Sequence, residues 1–448
     1  MLSRGVFLIF VCTVALGCDE ANPFVFESVI VDADDGNPAA GTDATTLRIE
    51  VQEGEATPRS EDFPINDGAF DAILEFESFV SPTRIRIAIL GDATDLVTAP
   101  PEFVPSISGG LMRVVTTEPA SCVRIGFDQM EAARERFAMV RSGTFALLAG
   151  GTEASSEQVE FFDALQWEAR LFAEDFSLST LGPTRAASID EVQILVLPDD
   201  ASAFVFNMSD PLNRVTPVVL HPGAGPASAI ISVPGVGAMV IGGEIGGEAQ
   251  PNVSVVNPDG GITARTLSTP RAGPAAAVLG SDVLIVGGND VGDAEIIRDG
   301  SATGQPVGSL ADGIRDDGLL VTDGESRALL MGGADEQGVV RQDTVRLDGC
   351  TSDCEAVAGP EWVSARLEAL QPVDSALVVG GTDSQSVEEV QWSGAAVAIV
   401  SLVNLVVPRA NPAGIVYESG AFVVAGGSDG VNSRNDFEFC IPSALTPL

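Results

Sequence analysis

The chain is built from short runs in which apolar and polar residues alternate or in which apolar residues are continuous. Alternation with a period of two is typical of half-buried β-strands, and Leu47, Ile49 and Val51 alternate in this way with polar residues. Clusters of Asp, Asn, Gly and Pro separate the runs, as expected of turns. Long helical patterns are scarce and the chain has 48 glycines. The pattern therefore predicts an all-β protein.

The N-terminal quarter of the chain predicts a small domain of its own. About seven short strands fall between residues 24 and 117, with a further clear alternation at Ile85, Ile87 and Ile89. This number of strands in so short a stretch favours an immunoglobulin-like β-sandwich over residues 24–117. Because sandwich folds host many functions, we interpret this domain as a spacer.

From about residue 120 the chain repeats an apolar run that ends in two glycines. The second glycines of six such runs are Gly151, Gly243, Gly288, Gly333, Gly381 and Gly427. The last four intervals are 45, 45, 48 and 46 residues, and the first interval is 92 residues, twice 46. A hidden unit is therefore expected near residue 197, where Leu197-Pro198 stands in place of the glycines. The spacing predicts seven units.

A second signal lies about twenty residues before the Gly-Gly pairs. It is a bulky residue, three others and then an arginine, as in Met130/Arg134, Leu181/Arg185, Leu267/Arg271, Trp362/Arg366 and Leu405/Arg409. The unit near Leu220 lacks the arginine, and Arg315 is one place late in the unit near Leu310. We expect these arginines at similar depth in five units. They either pair with the acidic residues that follow the glycines or meet an acidic ligand.

A period in the forties with several strands per unit is typical of β-propellers. The order of apolar run, Gly-Gly, polar loop and strand resembles the kelch repeat, and the resemblance covers residues 120–440. It implies a seven-bladed kelch-like β-propeller over residues 118–448, after the sandwich. The glycines are expected where strand ends turn with positive φ and where blades pack closely.

The resemblance also implies how the ring closes. The last unit ends at Cys440 without an outer strand, and residues 121–125 precede the first unit as a spare strand. If that strand completes the last blade, Cys122 lies beside Cys440 and a disulfide locks the ring; two buried free thiols are the alternative. Cys350 and Cys354 are close enough in sequence for a local disulfide.

The N-terminus predicts export. Residues 1–17 combine Arg4 with an apolar run too short to span a bilayer, as in a signal peptide. The segment Ala15-Leu16-Gly17-Cys18 resembles the bacterial lipobox, which implies lipidation of Cys18 and a tether over residues 18–23. Plain secretion is the alternative. We expect an exported protein that is lipid-anchored to the bacterial cell envelope, on either the inner or the outer membrane.

The charge of the chain restricts its partners. There are 64 acidic and 23 basic residues, a net charge of −41, and no residue is lysine. Nucleic acid is not expected as a partner, because its phosphates would be repelled. Anionic lipid headgroups are disfavoured for the same reason, so contact with a membrane is expected only through the lipid anchor. Cations and basic partners are favoured, and we expect a monomer.

An acidic residue follows nearly every Gly-Gly position, which defines a set that we call the acidic rim. Its members are Glu153, Asp199, Glu244, Asp290, Asp335, Asp383 and Asp429. Repeat symmetry predicts that they lie on one face, where carboxylates suit Ca²⁺ or a basic partner. Ordinary turn chemistry, which favours Asp, is the alternative. Apart from this possible Ca²⁺, no cofactor is predicted.

No catalytic constellation stands out. The chain has one histidine, His221, and one tyrosine, Tyr417, so the copper site of galactose-oxidase-like kelch enzymes cannot be built. A zinc site and a Ser-His-Asp triad are not expected around a single histidine. The sequence predicts a non-enzymatic binding or scaffold lipoprotein that presents a propeller for protein or glycan interaction. The alternative is a carbohydrate-active propeller enzyme, similar to sialic-acid epimerases or to glycosidases.

Overall fold

The structure, a computed structural model, describes residues 23–28, 44–53, 57–65, 71–75, 83–91, 96–98, 110–114 and, apart from short gaps, 120–442. These residues form β-strands and no helix, which confirms the prediction of an all-β protein. In this part of the chain there is accordingly no helix with the length and hydropathy needed to cross a bilayer. The predicted signal peptide, Cys18 and the tether as far as residue 22 lie outside the described residues, whereas Pro23 begins the first strand.

The N-terminal part contains seven strands. They are β1 (Pro23–Ser28), β2 (Ala44–Glu53), β3 (Arg59–Pro64), β4 (Asp71–Glu75), β5 (Thr83–Gly91), β6 (Leu96–Thr98) and β7 (Gly110–Val114). One sheet has the order β4-β1-β7, with β1 parallel to β7, and the other has the order β3-β2-β5-β6. The predicted alternation is visible in β2, where Leu47 and Ile49 are fully buried while Arg48 forms a cross-strand ion pair with Asp62.

Residues 121–441 form seven antiparallel sheets, which we number 1 to 7. Sheet 1 contains β9 (Ala138–Ser142), β10 (Phe145–Ala149), β11 (Glu160–Asp163) and β12 (Glu168–Leu171). Sheet 2 contains β13 (Thr184–Ser188), β14 (Gln193–Pro198), β15 (Phe204–Asn207) and β16 (Val215–Pro217). Sheet 3 contains β17 (Ala229–Val233), β18 (Gly237–Ile241), β20 (Glu248–Val256) and β21 (Ile262–Arg271), and the short β19 (Glu244–Ile245) pairs with β20.

The remaining sheets follow the same order along the chain. Sheet 4 contains β22 (Ala275–Leu279), β23 (Asp282–Val286), β24 (Asp293–Ile297) and β25 (Gln305–Ser309). Sheet 5 contains β26 (Leu319–Thr322), β27 (Ala328–Met331), β28 (Thr344–Asp348) and β29 (Glu355–Ala358). Sheet 6 contains β30 (Gln371–Pro372), β31 (Leu377–Val379), β32 (Ser386–Ser393) and β33 (Ala396–Asn404). Sheet 7 contains β34 (Ala413–Val416), β35 (Phe422–Ala425), β36 (Phe437–Ile441) and the distant β8 (Ser121–Ile125).

The second strand of each sheet is the apolar run seen in the sequence. Strands β10, β18, β23, β27 and β35 are almost entirely buried, because both of their faces are covered. A continuous apolar run is what such a strand requires. The unit expected near residue 197 corresponds to sheet 2, whose second strand ends at Leu197-Pro198 and has Leu195 and Leu197 fully buried.

The core lies between neighbouring sheets. First strands contact each other in the pairs β9–β13, β13–β17, β17–β22, β22–β26, β30–β34 and β34–β9. One apolar cluster joins sheet 7 to sheet 1, where Phe162 stacks on Phe437 with ring centroids 4.6 Å apart. Similar clusters join sheets 1 and 2, 2 and 3, 3 and 4, and 4 and 5.

Two disulfides are present among the described residues. Strand β36 pairs antiparallel with β8, so that Cys440 lies directly opposite Cys122, and a disulfide joins the two across 318 positions of sequence. The second disulfide links Cys350 to Cys354 between β28 and β29. Sheet 7 is therefore assembled from the two ends of the repeated region and covalently closed there.

Candidate functional site

The Gly-Gly pairs lie where the second strand of a sheet ends, next to the start of a neighbouring sheet. The Gly151 and Gly182 backbones exchange hydrogen bonds of 3.2 and 2.9 Å between sheet 1 and the segment that enters β13. The Gly427 N–H donates to the Arg134 carbonyl, at 2.7 Å, between sheet 7 and the segment that enters β9. Because the strands are antiparallel, the loops after second strands and the segments entering first strands share one edge of each sheet. We call this edge the Gly-Gly face.

Gly426 shows why glycine is required at this edge. Its φ is +58°, and a Cβ there would lie 2.6 Å from the Arg134 carbonyl oxygen and 2.8 Å from the Phe137 ring. Both the backbone conformation and the approach of the neighbouring sheet exclude a side chain. The glycine pair therefore brings adjacent sheets into close contact.

Three of the predicted arginines are fully buried, and each binds the sheet whose first strand follows it in the chain. Arg134 donates from Nη1 to the Gly150 carbonyl at 2.7 Å and from Nη2 to Glu160 Oε1 at 2.7 Å. Arg134 and Glu160 each have no solvent-exposed surface. A buried carboxylate and several further acceptors are what a buried guanidinium requires, because all five of its N–H groups donate.

The same arrangement recurs in sheets 4 and 7. Arg271 Nη1 donates to the Gly287 carbonyl at 2.6 Å, and Nη2 lies 2.6 Å from Asp293 and 3.4 Å from Glu295. Arg409 Nη1 donates to the Gly426 carbonyl at 2.7 Å, and Nε donates to Glu438 at 2.9 Å. Each arginine thus connects the segment before a first strand with the first glycine of the pair and with the third strand.

For Arg134, Arg271 and Arg409, these partners correct the prediction that the arginines pair with the acidic rim or meet an acidic ligand. Arg366 lies outside the described residues. The buried glutamates Glu160, Glu295 and Glu438 stand opposite the residue three places before the second glycine of the pair. In sheet 6, Glu388 occupies this position and accepts a hydrogen bond from Trp362 Nε1 at 2.7 Å. The sequence signal was a single acid inside an apolar strand, as in Phe437-Glu438-Phe439.

The described members of the acidic rim support the turns in which they lie. Asp429 accepts the backbone N–H groups of Val431 and Asn432 at 3.0 and 2.9 Å, and these donors lower the pKa of Asp429. Asp335 accepts the Val339 N–H at 2.8 Å. These contacts are ordinary turn chemistry, in which a carboxylate accepts backbone N–H groups of the same loop.

The remaining members of the acidic rim add no cation site to the described part of the chain. Glu153 accepts a hydrogen bond from Ser433 Oγ at 2.8 Å, and Glu244 is half-buried. Asp199, Asp290 and Asp383 lie outside the described residues. Among those that are described, no three His, Cys, Asp or Glu side chains form a group able to hold a metal ion.

A cavity of about 340 Å³ lies between the first strands of sheets 1 to 5. Its lining includes the starts of β9, β13, β17, β22 and β26, so it is placed at the Gly-Gly ends of these sheets. Among the described residues that line it, Arg185 is the charged one, and Thr184 and Ser228 contribute hydroxyl groups.

Exposed aliphatic side chains are concentrated on the Gly-Gly face. Of the seven large apolar side chains that the described residues expose, six lie there: Leu181, Val219, Ile245, Val339, Val406 and Val431. Ile245, Val339 and Val431 lie in loops that follow second strands, and the other three lie in segments that enter first strands. The seventh, Val192, lies in the turn between β13 and β14, at the opposite edge.

Sequence and structure comparisons place the chain only loosely among known proteins. No family model matches the chain. No curated protein matches it. Among solved structures, that of YjhT is similar to 69% of this chain over 95% of its own length, with 10% sequence identity and a TM-score of 0.42.

Proposed function

We propose that sheets 1 to 7 are the blades of a seven-bladed kelch-like β-propeller over residues 118–448. The four-stranded antiparallel order, the contacts between successive first strands and the completion of sheet 7 by β8 support this proposal. We further propose that residues 24–117 are an immunoglobulin-like sandwich that serves as a spacer. Seven strands in two sheets of three and four support it.

The proposal includes export and lipidation at Cys18, after removal of residues 1–17. The lipobox-like segment that ends at Cys18 supports it. In a bacterial host, Cys18→Ser should abolish incorporation of a labelled fatty acid and release the protein from the membrane fraction. Unchanged labelling of the variant would show that Cys18 is not the acceptor.

The function that we propose is binding without catalysis, through the Gly-Gly face. The observation that carries it is the confinement of six of the seven exposed large aliphatic side chains to this one face. Apolar surface that a soluble protein exposes on one side can serve as an interaction site, and we propose that these side chains contribute to one.

The test compares binders selected from a random peptide display library. The exported protein should select peptides that lose binding to a Val219→Ser/Ile245→Ser/Val431→Ser variant and keep binding to Val192→Ser. The Val192 variant is a matched control, because it removes an exposed valine from the opposite edge. Selected binders that retain full affinity for the triple variant would exclude the Gly-Gly face as the interaction surface.

A second candidate function is recognition of an acidic glycan in the cavity. Arg185 in the lining supports it, because a guanidinium binds a carboxylate in a bidentate manner. A glycan array should then show binders that Arg185→Gln loses and the triple aliphatic variant keeps. Turnover of any bound sugar would instead favour a carbohydrate-active enzyme.

A further inference from the structure

We infer that the Gly-Gly face binds a basic polypeptide segment that also carries aliphatic residues. This inference rests on the proposed function and names the chemistry of its partner. It is carried by three loops that each present an acid together with an exposed aliphatic side chain.

The three loops repeat the same juxtaposition in sheets 3, 5 and 7. Glu244 immediately precedes Ile245, which is 50% exposed. Asp335 accepts the N–H of Val339, which is 57% exposed. In the third loop, Asp429 accepts the N–H of Val431, which is 86% exposed. In the loops of sheets 5 and 7 a turn fixes the acid relative to its aliphatic neighbour, so that each offers a carboxylate and an apolar contact close together.

The charge of these loops is strongly negative. Residues 242–248, 332–343 and 426–436 contain seven acidic and two basic residues, a net charge of −5. Both basic residues form ion pairs inside their own loops, Arg341 with Asp343 and Arg434 with Asp436. The hydrogen bonds from Val431 and Asn432 lower the pKa of Asp429 and keep it ionised at neutral pH.

Three buried arginines of this face do not offset the charge at its surface. Arg134, Arg271 and Arg409 are fully buried in pairs with their glutamates and cannot reach a partner. A partner with Lys or Arg next to Leu, Ile or Val therefore complements the acidic and aliphatic side chains of the Gly-Gly face.

The net charge of −41 acts at longer range on the same partner. A basic segment is attracted over about a Debye length, and the rate of association then depends on ionic strength. An acidic segment with the same aliphatic residues meets repulsion at every distance. Charge thus selects the partner, and the aliphatic side chains supply the buried contact.

The experiment uses three fluorescent peptides of equal length with leucine at the same positions and Lys, Gln or Glu at all others. Their binding to the exported protein is followed by fluorescence anisotropy at physiological salt. The Lys peptide should bind at least about tenfold more tightly than the Gln peptide, and the Glu peptide should not bind. Raising the salt concentration should weaken the binding of the Lys peptide and leave the binding of the Gln peptide unchanged.

Two sets of variants locate the effect. Glu244→Gln/Asp335→Asn/Asp429→Asn removes three charges, while the amide oxygens at positions 335 and 429 keep accepting the turn N–H groups. This variant should bind the Lys peptide about tenfold more weakly than the wild type and should bind the Gln peptide with unchanged affinity. Glu325→Gln is the matched control, because Glu325 is exposed in the turn between β26 and β27 at the opposite edge. It should change neither peptide.

The outcomes separate the inference from the proposed function. If the Lys and Gln peptides bind equally and Val219→Ser/Ile245→Ser/Val431→Ser abolishes both, the inference about charge is wrong and the binding face stands. If the Lys peptide binds this aliphatic variant as well as the wild type, the proposed binding face itself is wrong. The inference is overturned if the Lys peptide does not bind the wild-type protein. It is also overturned if Glu325→Gln weakens binding of the Lys peptide as much as the triple acid variant does.

Discussion

Sheet 7 and sheet 2 share the same four-stranded antiparallel order but are held together by different interactions. Sheet 7 takes its outer strand β8 from the other end of the repeated region and fastens it with the Cys122–Cys440 disulfide. It also contains the buried Arg409–Glu438 pair and the Gly-Gly pair. Sheet 2 is continuous in the chain, ends its second strand at Leu197-Pro198, and has Val205 opposite Leu195 at the position that corresponds to Glu438.

In sheet 2, aromatic packing takes the place of the disulfide and the buried arginine–glutamate pair. Phe172 and Phe176 meet Phe206 edge to face at 5.4 and 5.5 Å, and Phe176 meets Phe204 at 5.3 Å. Sheet 2 needs no disulfide to bring its strands together, because they are already neighbours in sequence. Sheet 7 must join segments more than three hundred residues apart, at a larger cost in chain entropy. The comparison teaches that the long-range disulfide stands where the chain closes on itself, whereas the buried arginine–glutamate pair also occurs in sheets 1 and 4, which are continuous in sequence.

The largest expected effect is the loss of the disulfide in sheet 7. Cys122→Ser/Cys440→Ser should lower the free energy of unfolding by about 5 kcal/mol, because the crosslink restricts a very long loop of the unfolded chain. The matched control, Cys350→Ser/Cys354→Ser, opens a loop with a separation of 4 residues and should cost about 2 kcal/mol. Urea unfolding measures both, and equal losses would contradict the closure of the repeated region by this bond.

The second-largest expected effect comes from the buried ion pair of sheet 7. Glu438→Ala leaves the buried Arg409 with Asp436 as its remaining carboxylate and the Val406 N–H without this acceptor, and should cost about 3–5 kcal/mol. Arg409→Met/Glu438→Leu removes both charges and should recover most of that loss. Val205→Ala, at the corresponding position of sheet 2, should cost about 1 kcal/mol. A double variant no more stable in urea than Glu438→Ala would argue against a paired role.

In sheet 2 the corresponding effect should come from an aromatic residue. Phe206 is fully buried, so Phe206→Ala should cost about 3 kcal/mol through the cavity that it creates. Phe206→Leu preserves much of the volume and should cost about 1 kcal/mol. In hydrogen-exchange measurements, the amides of sheet 2 should lose protection first. An equal loss of protection in sheet 7 would contradict the idea that the two sheets are supported separately.

The smallest predicted effect is a dependence on pH that belongs to sheet 7. Burial opposes ionisation of Asp436, but Arg434, Arg409 and Arg124 outweigh it and hold the pKa of Asp436 below its usual range. Because the folded pKa lies below the unfolded one, the stabilisation is present above about pH 4 and disappears as the pH falls further. Asp436→Asn should cost about 2 kcal/mol at pH 7.

The difference between wild type and Asp436→Asn should therefore shrink as unfolding is measured at lower pH. The cost of Phe206→Ala should stay constant over the same range, because no titrating group is involved. A constant difference for both variants would show that the ionic contacts of Asp436 do not stabilise the fold.

The sequence predicted the strands well because burial on one or both faces leaves a direct pattern. The Gly-Gly spacing even located sheet 2, whose glycines are absent. The buried glutamates were missed because loop lengths vary: Glu160, Glu295 and Glu438 follow their glycines by 9, 7 and 11 residues. Only the pairing of the strands shows that they occupy equivalent positions.

The acidic rim and the exposed aliphatic residues show a different limit. An aspartate that caps a turn and one that binds a cation have the same preferred position, so residue type alone cannot separate the two roles. Whether an exposed valine belongs to the Gly-Gly face likewise depends on the edge of the sheet at which it lies. Val192 and Val431 look equivalent in sequence, and only the strand order assigns them to opposite edges.

The bond between Cys122 and Cys440 also changes what a protease can do to this molecule. Residues 122–440 form one covalently closed loop, so a single cut within it, for example beside the highly exposed Val431, produces two fragments that stay joined. The fragments part only after reduction. In surroundings rich in secreted proteases, a nick therefore leaves the chain in one piece, with every strand still attached to its neighbours.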